Sequence, residues 1–92
     1  MLITGSSSGI GKAIAYRFAK ENWKLILIAR RLDRLKEIKK ILSNNKILIE
    51  AIDVRDEKSI CNFLNSLPEE FKYIDVLCNN AGLDIVGTLI NV

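Results

Sequence analysis

The sequence predicts a three-layer α/β fold with one parallel sheet, and three observations predict it. Short apolar, β-branched runs alternate with segments whose apolar residues recur at helical spacing, in the order βαβαβαβ. The run Leu25 to Ala29 is continuously apolar, as a parallel strand covered on both faces requires. A cluster of Gly and Ser, Thr4 to Gly11, stands where the first strand hands over to the first helix. Parallel strands joined by right-handed crossovers give a sheet of order 3-2-1-4, half of a Rossmann-like fold.

Each element has its own signal. Leu2 to Thr4 is a short first strand. Ile10, Ala13, Ile14 and Phe18 form the apolar stripe of a first helix, which Asn22 closes in a left-handed conformation. After the second strand, Leu32, Leu35, Ile38 and Leu42 mark a second helix, ended by the turn residues Ser43, Asn44 and Asn45. Ile47 to Ile52 reads as the third strand. Ile60, Phe63, Leu64 and Leu67 mark a third helix, which Pro68 does not continue. Ile74 to Cys78 reads as the fourth strand, with an apolar edge if it lies at the margin of the sheet. From Asn79 the chain reads as a loop with two glycines. The whole of residues 1–92 is expected to be one domain, with both ends looking clipped.

Composition narrows the function. The chain has 92 residues, 49% hydrophobic and 27% charged, with a net charge of +3, which describes a globular domain and not a disordered one. No run of about 18 apolar residues is present to span a membrane, and no leader pattern precedes Leu2. The absence of His removes His metal sites and Ser-His-Asp or Cys-His catalysis. Cys61 and Cys78 form no CxxC pair and read as buried apolar thiols in a reducing, cytoplasmic setting. Basic and acidic residues alternate, so a pI near 9.0 does not make a nucleic-acid surface.

The Gly-Ser cluster carries the strongest chemistry. A helix N-terminus presents unpaired N–H groups and about half a positive charge to a phosphate. Glycines let the backbone turn and approach a pyrophosphate closely, and three serines add hydroxyl donors. A turn that simply caps the helix is the plain alternative. A P-loop is excluded twice: Ser6 stands where the first Gly belongs, and Ala13 where a Mg²⁺-binding hydroxyl belongs. The dinucleotide pattern G-x-G-x-x-G matches Gly9 and Gly11 but meets Ile14 at its third place. Gly5 supplies an earlier glycine, giving G-x-x-x-G-x-G.

About 20 residues past the glycines, a dinucleotide fold meets the adenosine ribose, and an acid there selects NAD. Here the sequence is Ala29-Arg30-Arg31, with no acid. A guanidinium forks onto the 2′-phosphate of NADP, so NADP is expected over NAD. Arg31 at a helix start opposes the macrodipole, and Asp33 reads as a first-turn acid.

Four segments now stand in one order: Thr4-Gly5-x-x-x-Gly9-Ile10-Gly11, Ala29-Arg30-Arg31, Asp53-Val54 and Asn79-Asn80-Ala81-Gly82. Together they resemble the cofactor-binding half of the short-chain dehydrogenase/reductase family, over essentially the whole chain. The segments Ala29 to Leu35 and Leu67 to Leu83 look like its NADP-dependent 3-hydroxy acid (serine-type) dehydrogenase branch. The resemblance implies roles residue by residue. Gly5, Gly9, Ile10 and Gly11 would form the pyrophosphate loop. Arg30, with Ser8 or Arg31, would take the 2′-phosphate. Asp53 would accept from the adenine amino group, beside the Val54 backbone. Asn79, Ala81 and Gly82 would line the adenosine side and brace the sheet. Capping near the third helix also accounts for Asp53, and a plain turn accounts for Asn-Asn-Ala-Gly.

The family's catalytic set resembles Asn-Ser-Tyr-Lys, downstream of the Asn-Asn-Ala-Gly loop, and no residue of this chain takes those roles. Tyr16 and Lys20 have the Tyr-x-x-x-Lys spacing. They lie on the helix leaving the glycine loop, about 7–8 Å from the phosphates, and read as an ordinary half-buried Tyr with a solvated Lys. The expected function is the cofactor-binding portion of an NADP-dependent oxidoreductase that moves a hydride between NADP(H) and a carbonyl/hydroxyl substrate, inactive in isolation. The expected partners are a nicotinamide dinucleotide, a small-molecule substrate and further copies of the chain in the intact protein, with no nucleic acid and no membrane. The alternative is a non-catalytic nucleotide-binding module or a truncated gene product. A methyltransferase is disfavoured, because it would want an acid near Arg30 for the ribose diol.

Overall fold

The computed structural model describes residues 1–7, 9–43 and 46–80. Their order is β1 (Leu2–Thr4), α1 (Gly9–Ala19), β2 (Leu25–Ala29), α2 (Leu32–Ile41), β3 (Ile47–Ala51), α3 (Glu57–Asn65), a 3₁₀ turn (Glu69–Phe71) and β4 (Leu77–Asn79). The four strands form one parallel sheet of order β3-β2-β1-β4, as the alternation predicts.

Side chains alternate across the sheet with period two and divide the core into two layers. Ile3, Leu25, Leu27 and Ala29 meet Ala15 and Ala19 of α1 and Leu35 and Ile38 of α2. Leu2, Ile26 and Ile28 face the other way, onto Ile60 and Leu64 of α3 and Phe71 of the 3₁₀ turn. All five residues of β2 are buried, which explains why that run is unbroken by polar residues. Each fully buried Leu or Ile stabilises the fold by roughly 1.5–3 kcal/mol relative to exposure.

The stripe of α1 differs from the one read off its large residues. The face buried on the sheet is Gly11, Ala15 and Ala19, at helical spacing of four. Ile14 and Phe18 flank it half-buried, while Ile10 is 70% exposed. Small residues let the helix axis approach the sheet, and that close approach sets the site described below. Asn22 closes the turn after α1 at φ 63, as expected, and Trp23 stacks edge-on against Phe18 with ring centroids 5.2 Å apart.

Strand and helix ends shift elsewhere. β3 closes at Ala51, although the Ile52 N–H still donates to the Ala29 carbonyl at 3.0 Å. α3 ends at Asn65, so Leu67 packs from beyond the helix. β4 begins at Leu77 and includes Asn79, which the sequence places in a loop. Its reach is set by its partner: β1 offers only Leu2, Ile3 and Thr4, which pair with Leu77, Cys78 and Asn79. β4 lies at the margin of the sheet among the described residues. Cys61 and Cys78 are free thiols and are half-buried, less enclosed than expected. Among the described residues, no helix is long and apolar enough to cross a membrane. Of the turn after α2, Asn44 and Asn45 lie outside the described residues.

Candidate functional site

The carboxyl ends of β1 and β2 carry the Gly-Ser cluster and the arginine pair. Three glycines do three different things there. Gly5 turns the chain out of β1 at φ 64. Gly9 opens α1 at φ 59, and a Cβ built on it would meet nothing within 4 Å among the described residues. Gly11 is the reverse case. A Cβ there would lie 2.2 Å from the Gly5 carbonyl oxygen and 2.9 Å from Asn80 Nδ2. It therefore serves helix-to-turn packing, the task of the third glycine in the dinucleotide pattern. The missing glycine at Ile14 is thus explained: Gly11 does that work three residues earlier in the chain.

The serines do not act alike. Ser6 is fully buried and its hydroxyl donates to the Ile28 carbonyl at 3.3 Å, so it binds the loop to β2 and offers nothing to an anion. This corrects the expectation of three hydroxyls around one phosphate. Ser7 lines a small cavity of about 240 Å³ with Gly9, Lys12, Arg34 and Glu37. Ser8 lies outside the described residues. Ile10, read as part of the loop, is the second residue of α1, and its side chain stands in solvent.

The end of β4 is tied to this turn. The Thr4 hydroxyl donates to Asn79 Oδ1 at 3.1 Å, and Asn80 Nδ2 donates to the Gly5 carbonyl at 3.2 Å. Asn79 thus meets the end of β1. Asn80, which sequence reasoning passed over, holds the glycine turn itself. The Asn-Asn pair was visible, but which of the two amides reaches back depends on the β4 register. Ala81 and Gly82 lie outside the described residues.

A cluster of charges flanks the site. Ala29 and Ala51 are paired at the ends of β2 and β3, which brings Arg30 and Asp53 onto adjacent loops. Arg30 Nε lies 4.0 Å from Asp53 Oδ2, with 72% of the Arg30 side chain exposed. Asp53 is held by Arg55, whose Nη2 donates to Oδ2 at 2.8 Å and whose Nε and backbone N–H each donate to Oδ1 at 3.0 Å. That fork keeps the Asp53 carboxyl well below the usual carboxylate range, with Arg30 adding a smaller push. Asp53 does not cap α3; Asp56 does, accepting from the Ser59 N–H at 3.2 Å. Val54 follows Asp53, half-buried against the second core layer. Arg31 stands at the start of α2 and forks onto Asp33 through Nε and Nη2, both at 3.3 Å. Asp33 is the first-turn acid of α2 and is held below its ordinary range by that bond.

Tyr16 sits half-buried against the α1–α2 core layer, with Lys12 Nζ 5.7 Å from its ring centroid, while Lys20 is exposed at the helix end. The pair lies behind the sheet, as the plain reading has it.

With the strand order, the glycine turn and the arginine pair in place, the comparisons with known proteins agree. The family model described as short chain dehydrogenase matches residues 1–92. The chain belongs to the short chain dehydrogenase family. It is 52% identical over 87 residues to the NADP-dependent 3-hydroxy acid dehydrogenase of Schizosaccharomyces pombe, covering 90% of this chain and 34% of that protein. It is 46% identical over 84 residues to sulfoacetaldehyde reductase 2 of Chromohalobacter salexigens, covering 90% of this chain and 33% of that one. The crystal structure of L-sorbose reductase from Gluconobacter frateurii, complexed with NADPH and L-sorbose, superposes with a TM-score of 0.79 at 42% identity, over 89% of this chain and 32% of that one. The chain therefore spans about a third of the length of the curated relatives it matches.

Proposed function

We propose that this chain is the NADP-binding portion of a short-chain oxidoreductase, one domain over residues 1–92, of the 3-hydroxy acid (serine-type) branch. The observation that carries the reading is Gly9: left-handed backbone, with open space where a side chain would stand, at the start of a helix with no acid in its first turn. Such a terminus has N–H groups and a positive dipole end to offer, and room for a pyrophosphate to reach them. Gly5 and Gly11 shape the turn, and Ile10 extends it.

Arg30 takes the adenosine 2′-phosphate, flanked by Ser8 and by Arg31 once the latter releases Asp33. Asp53 and the Val54 backbone meet the adenine. Asn79, Ala81 and Gly82 line the adenosine side. NADP(H) supplies or accepts the hydride when bound, and the intact protein uses it on a carbonyl/hydroxyl pair. The relatives are named for different substrates, a 3-hydroxy acid, sulfoacetaldehyde and L-sorbose, so the portion they share with this chain governs the cofactor and not the substrate. The unpaired thiols of Cys61 and Cys78 suit a cytoplasmic setting.

Calorimetric titration with NADP⁺ and NAD⁺ tests the reading. NADP⁺ is expected to bind more tightly by about tenfold or more, the worth of one charge-assisted contact, and Arg30→Ala is expected to erase the preference. NAD⁺ binding as tightly as NADP⁺ would end the assignment of Arg30.

A further inference from the structure

The loops after β2 and β3, with the first turn of α2, bring Arg30, Arg31 and Arg55 together with the carboxylates of Asp33 and Asp53, while Asp56 is engaged by Ser59 at the mouth of α3. Arg31 is taken by Asp33, with two bonds at 3.3 Å. Asp53 is taken by Arg55, with both carboxylate oxygens occupied. Arg30 is left over. Its 4.0 Å separation from Asp53 is an ion pair without a hydrogen bond, and its side chain stands 72% in solvent. A free carboxylate has about four acceptor sites. With Arg55 absent, Arg30 would be the cation already beside Asp53, about 1 Å short of a charge-assisted hydrogen bond.

We infer that Arg55 is a positioning residue for cofactor choice: its fork holds the Asp53 carboxylate and so leaves the Arg30 guanidinium free for a 2′-phosphate. The inference rests on the NADP-binding reading above. It explains why an acid can sit beside the adenosine end of the site without cancelling the cation that selects NADP. Among the described residues, the Arg55 guanidinium bonds to Asp53, and it is through Asp53 that it acts on Arg30.

The test compares NADP⁺ and NAD⁺ affinities in the purified protein and in Arg55→Ala, Arg30→Ala and the double variant. Arg55 is an exposed side chain (64%), so its truncation leaves the fold intact. The readout is the ratio of the two affinities, because both nucleotides share the adenine and any change in how Asp53 meets adenine moves both together. Arg55→Ala is expected to lower the NADP⁺:NAD⁺ preference about two- to fivefold, the strength of an exposed ion pair now competing for Arg30. In the Arg30→Ala background the same substitution should leave the ratio unchanged. An unaltered ratio in Arg55→Ala overturns the inference. So does an equal loss in both backgrounds, which would mean that Arg55 meets the phosphate itself. Failure of the unsubstituted protein to bind either nucleotide is a different result: it overturns the reading of the site, and this inference with it.

Discussion

The junction between β1 and α1 and the junction between β3 and α3 solve the same problem with opposite chemistry. Both must satisfy the N–H groups at the mouth of a helix that follows a parallel strand. At β3–α3 the protein brings its own anions: Asp56 accepts from the Ser59 N–H at 3.2 Å and from its hydroxyl at 2.6 Å, and Glu57 stands in the first turn. At β1–α1 the first turn holds no acid, and two glycines in left-handed backbone keep side chains clear of the mouth. The contrast teaches where an outside anion is wanted. A helix that carries its own carboxylate needs no outside anion; on the reading proposed above, one whose first turn holds no acid takes its anion from a ligand.

Substitutions at the two junctions should break that contrast in a graded way. Gly11→Ala should do the most, because its Cβ would collide with the Gly5 carbonyl at 2.2 Å. A destabilisation of roughly 3 kcal/mol, at the upper end for overpacking, is expected as a lower urea midpoint. Gly9→Ala should separate stability from binding. The left-handed backbone costs roughly 1–2 kcal/mol with a side chain, yet among the described residues the new methyl meets no atom within 4 Å. It would stand where the pyrophosphate approaches, so NADP⁺ affinity measured by calorimetry should fall well beyond the stability loss. Equal NADP⁺ affinity in Gly9→Ala and the parent would mean that the open space is not the nucleotide's.

At the self-sufficient junction the effects are smaller and independent of nucleotide. Asp56→Ala should lower Tm by about 4 °C through loss of the helix cap, with NADP⁺ affinity unchanged. Acid should act at the same place. The Ser59 hydroxyl and backbone N–H hold the Asp56 carboxyl below its ordinary value of 3.8. A carboxyl whose folded pKa is depressed stabilises the fold fully above its unfolded pKa, and that contribution is lost as pH falls through the folded one. The urea midpoint should therefore decline below about pH 4, and Asp56→Asn should reduce that slope.

Much of this was legible in the letters, for identifiable reasons. The continuous run of β2 could only be a strand buried on both faces, and Asn22 marked the end of α1 because Asn tolerates the left-handed turn. The three glycines were visible as a cluster, but their separate duties were not: Gly9 and Gly11 look alike until the path of α1 against Gly5 is known. The apolar stripe of α1 misled because size is not proximity. Ala15 and Ala19 face the sheet since small residues allow close approach, and Ile10 is left outside. The 3₁₀ turn Glu69–Phe71 gave no periodic signal in three residues, two of them acidic. Asp53 was seen as a candidate, whereas its captor Arg55 was not, because an arginine two residues along has no spacing rule that singles it out.

The glycine turn owes its final shape to residues far along the chain. The bonds from Thr4 to Asn79 and from Asn80 to Gly5 each bridge 75 positions. Closure entropy grows only slowly with span, but it must be met before so non-local a contact rewards it, which makes such contacts slow to form. Local forces can wind α1 early, but its mouth stays unframed until the fourth strand docks. During synthesis, then, the glycine turn emerges well before the strand that frames it, and its geometry is completed only once the polypeptide through Asn80 has been delivered.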